Sequence, residues 1–159
     1  MITEAADGLL GELRDEFLSL YPRGRRLVAI DGDDGARRTR FADALGGVLE
    51  AGGATVVRAS APGGAAFAET EAALRASVVD PFRAGATSRD PDAVLLVDGA
   101  LLLQPELRGI WHWSIGLLGA PEIRLPEPGG PIVRAPRDPS AIVDDTDPEH
   151  PRRVFADSC

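Results

Sequence analysis

The sequence predicts an α/β domain, a parallel sheet with helices packed on both of its faces. Three observations lead there. Apolar, β-branched runs alternate with segments of helical period, as in βαβ units. Those runs are apolar at nearly every position, so both faces of each strand are covered. And the first run, "RLVAI", passes through "DGDDGARRTR" into a helix, the order that builds a phosphate-binding turn.

Each element has its own signal. Residues 2–20 place Leu9, Leu10, Leu13, Phe17 and Leu20 at three- and four-residue spacing, a helix with one buried face stopped by "YPRG". Residues 26–30 are the first strand. Residues 39–50 are helical, with Phe41, Leu45, Val48 and Leu49 on one side and "AGG" at the end. "ATVVRAS" is the second strand, and residues 66–79 form a helix halted by Asp80 and Pro81. "DAVLLVDG" is the third strand, "SIGLL" the fourth and "SAIVDD" the fifth. Residues 119–139 hold six prolines and no helical period, which predicts an extended loop. Trp111 and Trp113 alternate with His112, so both indoles are expected on one side of a strand.

Composition limits the function. With 159 residues the chain suits a single domain, residues 1–159, with a real core. A formal charge of −8 argues against nucleic acid or an anionic membrane surface as partner. All 17 basic residues are arginine, so no lysine exists to bind phosphate or to form a Schiff base. The lone cysteine, Cys159, excludes an intrachain disulfide and a cysteine metal cluster. "MITEAADG" lacks the features of a signal peptide, and no apolar run is long enough to span a bilayer, so the expected setting is the cytoplasm.

Ligands of parallel sheets gather at the carboxyl ends of the strands, which points to residues 31–38, 60–64, 98–102 and 144–151. A phosphate loop G-x-x-x-x-G-K-[ST] holds phosphate on backbone N–H groups, bridges it with lysine and binds magnesium through the hydroxyl. Here Gly32 takes the first glycine and Thr39 the hydroxyl, but Arg37 stands on the second glycine and Arg38 on the lysine. The candidate phosphate or nucleotide site is therefore Gly32, Asp33, Asp34, Gly35, Ala36, Arg37, Arg38, Thr39 and Arg40. Asp98 closes an apolar strand beside Gly99, as a carboxylate that holds magnesium through water together with Thr39, or as one that accepts backbone N–H groups in its turn.

"VAIDGDDGARRTRFADAL", "VVRAS", "AVLLVDGALLLQPELRGIW" and "AIVDDTDPEHPRR", in this order, resemble the uridine kinase branch of the P-loop nucleoside kinases in its actinobacterial form. The resemblance implies a three-layer P-loop domain whose five-stranded parallel sheet has the first strand central, with ATP and magnesium as cofactors and a nucleoside as acceptor. It also implies that "DDTDPEHPRR" is the loop against which the adenine rests. The departures are as informative. The acceptor base expected after the second strand is replaced by "SAPGGAAF", with no carboxylate before Glu69 and with Glu69 and Glu71 expected on a solvated face. Trp111 is followed by His112 rather than an aspartate. Residues 119–140, with Arg124, Arg134 and Arg137, stand in place of an arginine-bearing lid.

A side chain at position 37 crowds the ligand, and the planar head of Arg38 does not fit between phosphates as an ammonium does. Arg37, Arg38 and Arg40 also oppose the helix dipole, so an anion must offset them: a bound ligand, or the local Asp31, Asp33 and Asp34. The expected function is a catalytically degenerate, uridine kinase-like P-loop protein (a pseudokinase) with at most weak nucleotide or phosphate binding. One alternative is an active ATP-dependent kinase using Arg38 and Asp98, with magnesium on Thr39 and Asp98. Another is an interaction module without ligand. His112 and His150 are expected to be structural or solvated. With lid and substrate segments cut back, Leu101, Leu102, Leu103, Trp111 and Trp113 are expected to form an apolar patch and pair two chains as a homodimer.

Overall fold

The computed structural model describes residues 4–32, 34–61, 67–100, 102–107, 109–118 and 139–154, with the backbone alone for 67–70 and 105. In chain order the elements are α1 (Glu4–Leu20), β1 (Arg26–Asp31), α2 (Gly35–Ala51), β2 (Val56–Ser60), α3 (Phe67–Leu74), a π-helical turn (Arg75–Val79), α4 (Asp80–Arg83), β3 (Val94–Gly99), a 3₁₀ turn (Pro105–Leu107), β4 (Trp113–Leu118), β5 (Ala141–Asp144) and β6 (Arg152–Val154). The strands form one sheet in the order β2-β3-β1-β4-β5-β6. β1 is interior and flanked in parallel by β3 and β4, with Ile30 opposite Asp98 and Ile115.

The sheet has six strands rather than five. The sixth, β6, pairs antiparallel to β5 through Ile142 and Val154. Its sequence "RRV" has no apolar alternation to announce it. Its arginines instead reach carboxylates: Arg152 pairs with Asp144 at 3.2 Å and Arg153 with Glu16 of α1 at 2.7 Å.

Two cores lie on the two faces of the sheet, as strands apolar on both sides require. On one face α1 and α2 bring Leu13, Phe17, Phe41, Leu45 and Leu49 against Val28, Ile30, Leu96 and Trp113. On the other, Leu74, Val79, Phe82, Leu102, Leu107 and Ile110 pack on Leu27, Ala29, Leu95 and Val97. Trp113 belongs to the first core, in tilted contact with Phe17 at 5.6 Å between ring centres. Trp111 packs against the second, and its indole N–H donates to the Leu102 carbonyl at 2.8 Å. The indoles thus lie on opposite faces, against expectation, because β4 begins only at Trp113 and strand alternation does not extend back to Trp111.

Two helix boundaries also differ from those predicted. α2 starts four residues early because Asp34 is its N-cap, its carboxylate accepting the Arg37 N–H at 3.1 Å. The third helical segment does not stop at Asp80 and Pro81. The Asp80 N–H reaches back to the Arg75 carbonyl, a π turn, and helix continues to Arg83. Widening the turn removes the clash between a proline ring and the carbonyl four residues before it.

The residues expected to form an exposed apolar patch are mostly interior. Leu102 and Trp113 are buried, and Leu103 and Trp111 are partly buried against the second core. Leu101 lies outside the described residues, as do 119–138 with Arg124, Arg134 and Arg137. Burial within the chain removes the reason given for a homodimer. No helix among the described residues is long and apolar enough to cross a membrane.

Candidate phosphate loop

The carboxyl ends of β1, β3, β4 and β5 converge on the segment 31–40, and four of its charged side chains are already engaged. Asp34 caps α2, accepting the Arg37 N–H on its carboxylate and the Arg38 N–H on its carbonyl at 3.0 Å. A carboxylate at a helix N-terminus is electrostatically what a phosphate would be there. Gly35 and Ala36 form the exposed first turn. Asp31 turns away from the loop, and its carboxylate accepts the Leu103 N–H at 3.2 Å. Asp33 lies outside the described residues.

The local alternative is met in part, by Asp34 at the helix N-terminus, but the Arg37 guanidinium is not paired with Asp31 or Asp34. It crosses to Asp145, just after β5, at 2.5 Å. The Asp145 side chain is 5% exposed and that of Arg37 21%. A carboxylate so buried requires a partner, and Arg37 supplies it. Arg38 folds back over the loop, its Nη1 donating to the Gly32 carbonyl, while its buried Nε has no partner among the described residues. Gly32 leaves room for this fold-back. A Cβ there would stand 3.1 Å from the Leu117 Cβ and 3.3 Å from the Arg38 Cγ. Arg40 is exposed and makes no ion pair among the described residues.

Thr39 and Asp98 do come together, as the motif reading expected: the hydroxyl donates to Asp98 Oδ2 at 3.2 Å. Asp98 also has partners that neither prediction named. It is 3% exposed, and its Oδ1 accepts from Ser60 Oγ at 2.8 Å and from Arg58 Nη2 at 3.1 Å. No backbone N–H is bonded to its side chain among the described residues, and its carbonyl accepts the Ala61 N–H just past β2 at 2.8 Å. Magnesium needs near-octahedral oxygen ligands and keeps several waters. One carboxylate already bonded to a guanidinium does not fit that demand, so the magnesium assignment to Thr39 and Asp98 is not supported by the site. No group of three or more His, Cys, Asp or Glu among the described residues could hold a metal.

Sequence reasoning missed Arg58, and it placed Ser60 and Asp145 in the ligand-facing loops 60–64 and 144–151 without giving either a partner. For Arg58 there was a signal. An arginine inside "VVRAS", in a strand covered on both faces, needs a buried acceptor, and Asp98 is an acceptor at the end of a neighbouring apolar strand. Asp145 had none, since the second residue of "DD" looks like any solvated turn.

Beyond the loop, α1, α2 and residues 145–151 line an open pocket of about 580 Å³, in which the apolar Leu10, Phe41, Ala44, Pro148 and Pro151 stand beside Arg40, Asp43, Asp145 and Glu149. That volume is ordinary for a small-molecule pocket. The loop beneath it is held by its own polar groups: Asp144 accepts from Thr146, and Asp147 contacts His150 Nδ1 at 3.0 Å. Both carboxylates are held below their ordinary value, first by those side-chain hydrogen bonds and then by backbone N–H groups. His112 is structural. Its Nδ1 accepts the Leu27 N–H at 3.1 Å, and partial burial, then Arg83 and Arg26, lower its proton affinity.

No protein-family model matches the chain, and no curated protein matches it. Among solved structures it is similar to a protein from Bacillus stearothermophilus described provisionally as a uridine kinase. The TM-score is 0.56 at 14% identity, over 72% of this chain and 82% of that one. A protein from Silicibacter sp. TM1040, described provisionally as a fructose transport system kinase, gives 0.48 at 23% identity over 70% of this chain and 75% of that one. With the sheet order and the glycine turn between β1 and α2, the first likeness defines the class. The chain has the α/β fold of the P-loop kinases.

Proposed function

We propose that this protein is a catalytically degenerate member of the uridine kinase-like P-loop group, binding phosphate or nucleotide weakly and acting through binding rather than turnover. The observation that carries this reading is the internal closure of the loop. Asp34 occupies the helix N-terminus, Arg38 is bonded to the Gly32 carbonyl, and Arg37 is bound to Asp145. An incoming phosphate must displace these contacts before it gains any of its own. Transfer also lacks a positioned acceptor base among the described residues, since Ser60 ends β2, Ala61 follows it and Glu71 is paired with Arg75 at 3.1 Å. The cavity beside Arg40 supports residual affinity for the base of a nucleotide.

The Thr39–Asp98 contact favours a second reading, an active ATP-dependent kinase. One experiment separates the two: calorimetry with ATP, with and without magnesium, and with inorganic phosphate, beside an assay of nucleoside-dependent ADP release. Weak binding and no turnover are expected. ADP release near the ordinary kinase range of about 1 s⁻¹ or above, or sub-micromolar ATP affinity, overturns the proposal. The double change Arg37→Gly with Arg38→Lys should tighten ATP binding by releasing the loop.

A further inference from the structure

We propose that Arg58 is a built-in counter-cation for Asp98, a guanidinium that balances this buried carboxylate in place of any metal. In consequence, removing its guanidinium creates a metal site from Asp98, Thr39 and Ser60. The inference does not depend on whether nucleotide binds.

β2 and β3 run parallel with Ser60 opposite Asp98 and Arg58 opposite Leu96. Arg58 is thus the diagonal neighbour of Asp98 on the sheet face covered by α2, within reach of a long side chain. Thr39 descends on the same face from α2. Three elements thereby bring two hydroxyls and one guanidinium to a single buried carboxylate.

The guanidinium is held from every side. Nη2 donates to Asp98 at 3.1 Å and Nε to Asp43 of α2 at 3.0 Å, while Nη1 donates to the carbonyls of Leu96 at 3.0 Å and Ala59 at 3.3 Å. A planar fork with all three nitrogens engaged does not swing away to admit a metal. A divalent ion on Asp98 Oδ1 would stand beside a fixed positive charge, and because Asp98 itself is only 3% exposed the like-charge repulsion there is less screened than in open water. Without Arg58 the same site keeps a buried anion with two hydroxyl oxygens next to it. The missing charge is then most simply supplied by a hard cation with oxygen ligands.

Manganese alone, followed by electron paramagnetic resonance and calorimetry on the full chain, tests this. Wild type and Asp98→Asn should give the same weak background. Arg58→Met should bind manganese at least about tenfold more tightly, a difference of about 1.4 kcal/mol, and Arg58→Met with Asp98→Asn should lose that gain. Millimolar magnesium should raise the melting temperature of Arg58→Met and leave that of wild type unchanged. Wild-type manganese binding that Asp98→Asn abolishes overturns the proposal, as does a folded Arg58→Met that binds no better than wild type. Should Arg58→Met fail to fold, Arg58→Gln takes its place, and the comparison of wild type with Asp98→Asn remains decisive.

Discussion

Arg37 shows how one side chain changes the character of a loop. At a position where the motif has glycine, its guanidinium bridges α2 to the end of β5 through a carboxylate that is 5% exposed. Removing one partner of a fully buried pair costs about 3–5 kcal/mol, and the partial exposure of Arg37 brings the expectation for Arg37→Ala to about 2–3 kcal/mol. Urea denaturation of Arg37→Ala, Asp145→Asn and the double variant should show a double change less destabilising than the sum of the two singles. Strict additivity would mean that the pair contributes nothing.

His112 adds a pH dependence. Its folded proton affinity is lowered, so the unfolded chain binds the extra proton, and the stability it contributes is complete above about pH 6.5, the ordinary imidazole value, and lost as pH falls below it. Asp90, Asp144 and Asp147 are also held low, and their contributions are lost in a separate window below about 3.8, the ordinary carboxylate value. Denaturation midpoints should therefore fall between pH 7 and pH 5. In His112→Asn, whose side-chain oxygen keeps an acceptor for Leu27 N–H without titrating, that part of the slope should vanish. An unchanged slope would assign it elsewhere.

At the scale of elements, α2 is governed by its first residue outside the helix. Asp34 sets its start and supplies the negative charge that Arg37, Arg38 and Arg40 in the following turns otherwise oppose. Asp34→Ala should cost about 1 kcal/mol, the ordinary loss for a cap. It should also strengthen phosphate binding, since a loop carboxylate is removed and the Arg37 N–H is freed. Thermal denaturation and phosphate titration of the same variant check both. A loss of stability with no gain in phosphate affinity would show that the cap does not compete with ligand. The π turn before Pro81 is the other informative element. It lets one helical course run through a proline, where the residue alone predicts a stop.

For the whole molecule, the described surface exposes only Leu20 and Leu118 among its large hydrophobics, at 59% and 42%. Leu102, Leu107 and Ile110, which follow β3, are buried in the second core. Light scattering after size exclusion, with reductant to exclude bridging through Cys159, should therefore give the mass of one chain. A dimer at tens of micromolar would locate the pairing surface outside these cores.

Local signals were sufficient for the order of strands and helices and for the two-faced sheet, while the central first strand was implied by the family resemblance and the meeting of Thr39 with Asp98 by the motif. Periodicity and turn residues are short-range properties, readable where they occur. The partners of the charges were of another kind. Arg37 finds Asp145 across 108 positions, and Arg58 finds Asp98 across 40. An arginine of the same charge serves a buried carboxylate, a loop carbonyl or open water, and nothing in its neighbours along the chain decides among them. Register and burial decide, because only the folded sheet determines which carboxylate is without water and which guanidinium lies within reach.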